Sequence, residues 1–247
     1  MELGRMAGAR RRVLITRPEP AASHTAQRLA KLGFEPITLP LQEMLPVPVA
    51  PLAIPVEGAA VAVTSANAVR HASRDILDRL CGLPSFGVGA ATAACMREAG
   101  FTRVLEGGGD AEMLADRIIA SRPPGPIVYL CGRIRRPAFE NRLSSAGFTV
   151  AAVETYDTAP VVRSREQILD AVGGGPIDQV LIYSAFAAAE MVRLMARPEL
   201  RDSFEHAELL CISARTAGVL AGGGHRGTRV ASEPTEAALL SLLEGAP

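Results

Sequence analysis

The chain repeats itself, and no other feature narrows its fold as much. Arg28-Leu-Ala-Lys-Leu-Gly-Phe34 returns as Arg142-Leu-Ser-Ser-Ala-Gly-Phe148. Val63-Thr-Ser-Ala66 returns as Ile182-Tyr-Ser-Ala185, and Val88-Gly-Ala-Ala-Thr-Ala93 as Ile212-Ser-Ala-Arg-Thr-Ala217. The offsets are 114 for Gly33/Gly147, 119 for Ser65/Ser184 and 124 for Thr92/Thr216, a slow drift in one direction. Three matches in the same order describe blocks A–B–A′–B′, and so two similar lobes. The repeat does not say which blocks pack together.

Each block follows one grammar. Short β-prone runs at Arg12–Thr16, Val61–Thr64, Ile127–Leu130, Val180–Tyr183 and Leu209–Ile212 are each followed by a helical pattern. Pro18 and Gly33 suit the start and end of the first helix. Val69, Ala72, Ile76, Leu77 and Leu80 recur at helical spacing and predict one helix after the second run. Alternating strands and helices make βαβ units. The fold class expected is α/β: two similar parallel-sheet α/β/α lobes joined by a two-stranded β linker. The linker strands are drawn from Pro36–Pro55, whose six prolines fit only extended or edge positions, and from Val153–Pro160. Such a hinge predicts a cleft that opens and closes.

Charge narrows the partners. Twenty-six basic and 26 acidic side chains give a formal net charge of zero, so no global field holds a nucleic acid by its phosphates. A hydrophobic fraction of 48% excludes a largely disordered chain. No apolar run approaches the ~18 residues of a membrane span, and the basic leader Met1–Arg12 lacks a signal peptide's apolar stretch, so neither membrane nor export is expected. The four cysteines are scattered without a CxxC pair, which argues against disulfides and zinc and fits a reducing compartment.

In open parallel sheets ligands lie beyond the carboxyl ends of strands, where the next helix offers free N–H groups. The repeat places small residues at those turns: Thr64, Ser65, Ala66, Thr92, Ser184, Ala185 and Thr216. Any one of them is explained by helix capping or a first turn. Recurring at equivalent corners, they point to a site for anions, held by helix dipoles without excess Lys or Arg. Arg17, Arg133, Arg135 and Arg136 are candidate cations. Gly87-Val-Gly89-Ala-Ala-Thr92 imitates a dinucleotide fingerprint, but its third glycine position is Thr92 and its internal copy has no glycine. The triglycine runs at 107, 173 and 222 lack a following Gly-Lys-Ser/Thr and are expected as loops. Tyr156 stands apart from Tyr129 and Tyr183: it falls on the predicted linker, beside Asp157, where a phenol could face the cleft.

Taken together, Leu14-Ile-Thr-Arg-Pro18, Thr64-Ser-Ala-Asn-Ala-Val69, Val88-Gly-Ala-Ala-Thr-Ala93, Cys131-Gly-Arg133, Glu154-Thr-Tyr156 and Ile212-Ser-Ala-Arg-Thr-Ala217 resemble the uroporphyrinogen-III synthase family over nearly the whole chain. The resemblance implies a discontinuous first domain, residues 1–38 with 160–247, and a second domain, 39–159. It implies a cofactor-independent cyclising lyase with no metal. Its substrate would be hydroxymethylbilane, a linear tetrapyrrole with eight carboxylates, which closes to uroporphyrinogen III with ring D inverted. Tyr156 matches the family tyrosine proposed as general acid for the departing hydroxyl. Ser65, Ala66, Ser184, Ala185 and Thr216 match carboxylate-holding positions, and Thr92 occupies the corresponding turn, where Ala90-Ala91 departs from the usual pattern. A cytoplasmic monomer, with transient handover from hydroxymethylbilane synthase, completes the expectation. The alternative is a two-lobed small-anion-binding protein or sensor without catalysis. A two-cysteine racemase fails, because the counterpart of Cys95 in the repeat is Val219.

Overall fold

The computed structural model describes residues 10–50, 54–55, 57, 59–173, 175–221 and 227–244. Residues 1–9 of the basic leader and the 222–224 glycine run with His225 lie outside the described residues. In chain order the elements begin with β1 (Arg12–Ile15), α1 (Ala21–Lys31), β2 (Glu35–Thr38) and β3 (Gln42–Pro46). Next come β4 (Ala60–Val63), α2 (Ala66–Arg70), α3 (Arg74–Leu80), β5 (Ser85–Gly87), α4 (Ala90–Glu98), β6 (Val104–Glu106) and α5 (Ala111–Ser121). Then follow β7 (Ile127–Gly132), α6 (Ala138–Ser145), β8 (Val150–Pro160), α7 (Arg165–Val172), β9 (Gln179–Ile182) and α8 (Ala185–Met195). The chain continues through α9 (Arg201–Phe204), β10 (Glu208–Cys211), α10 (Ala214–Ala221), β11 (Thr228–Val230) and α11 (Glu236–Ser241).

Strands β1, β4, β7 and β9 are buried along their whole length, as continuous apolar runs covered on both faces must be. They sit centrally in two sheets, ordered β11-β10-β9-β1-β2 and β3-β8-β7-β4-β5-β6. Strands β11-β10-β9-β1-β2 and β8-β7-β4-β5-β6 pair in parallel. Strand β3 runs against β8: the Val47 N–H donates to the Thr155 carbonyl and the Val161 N–H to the Leu41 carbonyl. The prolines stay at edges, Pro36 in β2 and Pro46 in β3, where a missing donor costs no ladder bond.

The chain divides into two compact units, Met1–Glu43 with Pro160–Pro247, and Met44–Ala159. In the first, helices α1 and α11 cover one face around Leu29, Leu239 and Leu240, while α7, α8 and α10 cover the other around Ile168, Met191 and Leu220. In the second, α2, α3 and α4 pack on one face around Val69, Ile76 and Met96, and α5 and α6 on the other around Leu114, Ile118 and Leu143. Fully burying a side chain of this size contributes roughly 2 kcal/mol.

The repeats fall on topologically equivalent places. α1 follows β1 as α6 follows β7, and β4–α2 matches β9–α8, while β5–α4 matches β10–α10. The chain-order blocks A–B–A′–B′ therefore close as A with B′ and B with A′. Gly33 and Gly147 both have positive φ, +87° and +88°, and end their helices identically. The Phe34 N–H reaches the Leu29 carbonyl and the Phe148 N–H the Leu143 carbonyl, a glycine-closed C-terminus with an apolar residue after it. Gly100 with Phe101 closes α4 the same way, a third copy.

Two expectations need correction. The apolar series from Val69 to Leu80 is two helices, because Ser73 is extended (φ −65°, ψ 154°) and starts α3 as a new N-terminus. The first helix begins at Ala21 rather than near Pro18, with Pro20 as the residue before it.

Candidate active site

In each sheet the connections diverge between two central strands, β1 and β9 in the first unit, β7 and β4 in the second. Ligands of doubly wound sheets bind at that divergence, beyond the carboxyl ends. The residues there are Thr16 and Arg17 with Tyr183 and Ser184 in one unit, and Gly132 and Arg133 with Thr64 and Ser65 in the other.

In the second unit, Ser65 is extended and caps α2, its Oγ accepting from the Asn67 N–H at 3.2 Å. Ala66 is the first helical residue. Thr64 turns the other way, its Oγ1 2.7 Å from the Tyr129 hydroxyl. Burial pushes the Tyr129 phenol up to about 12, against the Thr64 bond. Tyr129 stacks tilted on Phe139 at 4.7 Å, a core residue as its strand position predicts.

Tyr156 lies beside this corner, on β8. A register shift between Cys131 and Gly132 makes Glu154 oppose the first and Tyr156 the second. Such irregularities re-aim side chains. Tyr156 packs partly buried against the apolar cluster under α2. Its ring lies directly on Gly132: a Cβ there would stand 2.6 Å from the phenol Cζ and 2.9 Å from its hydroxyl. His71 meets the ring at 5.8 Å between centroids, and its Nδ1 is 2.9 Å from the Asn67 carbonyl, which makes Nδ1 the protonated nitrogen. The buried Thr155 donates to the Ala68 carbonyl at 2.7 Å, tying β8 to α2. Burial raises the Tyr156 pKa above the ordinary phenol value, while a hydrogen bond with Ser65 acts against the rise. The phenol therefore carries its proton at neutral pH.

Cations gather after β7, and they are not equivalent. Arg135 is largely covered; it pairs with Glu140 and Glu154 and donates to the carbonyls of Gly132 and Arg133. The bond from Arg135, with one from Arg133, lowers the Glu154 pKa below the ordinary carboxylate value. Arg133 is 54% exposed and meets Glu154 and Asp157 at 3.3 and 3.0 Å. Arg136 is exposed, with no ion pair among the described residues. Thr92 stands apart at the next strand, buried in the first turn of α4 behind Gly89, so it is not the cap.

In the first unit Ser184 caps α8, accepting from the Ala187 N–H at 3.0 Å. Its own hydroxyl donates to Oε1 of the buried Gln42 at 3.0 Å. Ala185 opens that helix. Thr216 is buried in the first turn of α10, where Ser213 supplies the capping oxygen to the Thr216 N–H and lies 3.0 Å from its hydroxyl. Arg17 is held in place: Glu236 accepts from it at 3.0 Å, and its guanidinium sits 4.3 Å over the Tyr183 ring.

The structure thus gathers Thr64, Ser65, Ala66, Arg133 and Tyr156 at neighbouring strand ends in one unit, and Arg17, Ser184 and Ala185 in the other. Sequence reasoning missed Gly132, His71, Thr155 and Gln42 as parts of these corners. Cys131-Gly-Arg133 was the one signal available for Gly132; the contact itself has none. Among the described residues no cluster of three His, Cys, Asp or Glu could hold a metal, and no helix is long and apolar enough to cross a membrane.

Known proteins with related chains fall in one group. A family model described as uroporphyrinogen-III synthase HemD matches residues 23–241. The uroporphyrinogen-III synthase of Saccharomyces cerevisiae is 27% identical over 173 residues, 64% of this chain. That match spans 62% of the yeast protein's own length, less than two thirds. The crystal structure of uroporphyrinogen-III synthetase from Helicobacter pylori superposes with a TM-score of 0.67 at 16% identity, over 96% of this chain and 99% of that one. A mutant uroporphyrinogen III synthase from Thermus thermophilus gives 0.54 at 20% identity, over 95% and 96%. At such identities these two likenesses speak for the fold, while the family model spans most of the sequence: the chain belongs to the uroporphyrinogen-III synthase family.

Proposed function

We propose that the protein acts as a cofactor-independent cyclising lyase, turning hydroxymethylbilane into uroporphyrinogen III with inversion of ring D and loss of water. The observation that carries this reading is the Tyr156 phenol, kept neutral by burial and braced between Gly132, His71 and Ser65. A neutral phenol adds no negative charge while the eight-carboxylate bilane binds; it donates its proton to the departing hydroxyl, and the phenolate regains one from the pyrrole N–H as the azafulvene forms. Departure leaves an electrophilic azafulvene, whose carbon attacks the substituted position of ring D. The spiro intermediate fragments and recloses with that ring turned over. The unassisted bilane closes without inversion, so the protein's main contribution is geometric.

Carboxylates are taken by the N–H groups opening α2 and α8, with Ser65, Ala66, Ser184 and Ala185, and by Thr64, Thr92 and Thr216 at neighbouring turns. Arg136 is exposed and without an ion pair among the described residues, and Arg133 helps where the substrate competes with Glu154 and Asp157 for it. Arg17 serves only if the substrate competes with Glu236 for it. The enzyme works as a cytoplasmic monomer that receives its unstable substrate directly from hydroxymethylbilane synthase. Family membership supports the substrate, and nothing in the comparisons supports a non-catalytic anion sensor. The test is to supply hydroxymethylbilane from its synthase and resolve the porphyrin isomers. Type III product is expected; type I alone, at the rate seen without the protein, would reject the reading.

A further inference from the structure

A cavity of about 250 Å³ lies wholly within the first unit, against the segment leading into β3 and the segment leaving β8. Its floor is apolar, made by Leu39, Leu41, Ile168 and Leu194. Its rim is cationic, carrying Arg163, Arg193 and Arg197 against a single acid, Glu190. Glu190 is already ion-paired to Arg193. Arg163 donates to the Pro40 carbonyl, and Glu43 acts on it only through its field. Neither Arg163 nor Arg197 has a carboxylate partner among the described residues, although both are half-buried. Partly desolvated guanidinium groups without a hydrogen-bonded carboxylate are costly, and an anion bound in the cavity they line lowers that cost.

We propose that this cavity binds a small organic carboxylate with an apolar body. Arg163 and Arg197 take the carboxylate and the leucine floor takes the tail. The volume falls below the ~300–1,000 Å³ of drug-sized ligand sites, so a linear tetrapyrrole is excluded and the site is separate from the one around Tyr156. A bound carboxylate would bridge Leu39–Leu41 to Val161–Arg163, the two chain segments flanking the passages between units.

Octanoate titrated into the full-length protein tests this by calorimetry and thermal melting. Saturable binding of one octanoate per chain is expected, with the melting temperature rising by about 5–10 °C at a hundred times the dissociation constant. Arg197→Gln, a half-exposed change, should weaken binding about tenfold, and Arg163→Gln/Arg197→Gln should abolish it. Octan-1-ol should not compete, and Tyr156→Phe should bind octanoate like the parent. The proposal is overturned by absent saturation, by undiminished binding in a folded Arg197→Gln variant, or by octan-1-ol competing as well as octanoate. Loss of binding in Tyr156→Phe would place the octanoate at the catalytic corner and overturn it equally, whatever becomes of the proposed lyase activity.

Discussion

The corners at α2 and α8 begin alike and end differently. Each follows a buried strand, opens with Ser-Ala, and has its serine oxygen on a first-turn N–H. At α8 the serine hydroxyl is spent inward on buried Gln42, and the nearby cation, Arg17, is neutralised by Glu236. At α2 the serine faces a phenol, and the strand beside it ends in a glycine that leaves room for the ring. Similar local sequence therefore yields one corner whose serine and cation are engaged by the protein's own residues and one that carries a phenol. What separates them lies in β3, β8 and α11, far away along the chain.

Removing the acid should have the largest effect. Tyr156→Phe is expected to lower type III formation by about 10²–10⁴-fold while the melting temperature stays within a few degrees, since only a hydroxyl is lost. A variant retaining near-parental turnover would erase the distinction between the corners. Next is Gly132→Ala, whose methyl would overlap the phenol at 2.6 Å and must displace it. Overpacking of this kind costs about 1–3 kcal/mol. Turnover should drop about tenfold or more, with little further loss when combined with Tyr156→Phe; full additivity of the two would deny that they act through one ring.

Alkali should discriminate between the units more gently. Burial holds the Tyr129 phenol and the Cys131 thiol at about 12, and in the other unit the Cys211 thiol at about 12. The folded state keeps these protons after the unfolded chain has released its own, so their contribution is complete below pH 9 and is lost as pH climbs toward 12. The melting temperature should fall across that window. Cys211→Ala should flatten the fall more than Tyr129→Phe, because burial raises the thiol from 9.0 and the phenol from 10.0 to about the same 12. A slope indifferent to Tyr129→Phe would contradict the assignment. The smallest contrast concerns the caps. Ser184→Ala removes a cap and orphans Gln42, costing about 1–3 kcal/mol, whereas Ser65→Ala costs about 1 kcal/mol. Urea denaturation should rank them in that order, and isomer assays should rank them in reverse.

Much of the architecture was legible because it depends on neighbours in sequence. Continuous apolar runs announce two-face burial, Ser65 and Ser184 sit where their oxygens reach N–H groups two or three residues on, and Gly33 and Gly147 supply the positive φ that ends a helix. Proline at 36 and 46 confines β2 and β3 to edges for want of a donor. The same locality misled at Ser73, where apolar spacing runs on through a residue that breaks the helix.

Contacts across tens or hundreds of residues left no such trace. The repeat left open whether A packs with B or B′, which only the family resemblance implied; that Gln42 meets Ser184, Glu236 meets Arg17 and Gly132 bears the Tyr156 ring was decided only by tertiary structure. A hydrogen bond or a ring contact needs the right partner within about 3–4 Å, and closing a long loop costs nearly the same for many candidate partners. The sequence by itself determined the strand–helix grammar, its duplication and its caps. Packing chose among the pairings that grammar allows, and in doing so left one corner with a sheltered phenol and the other without.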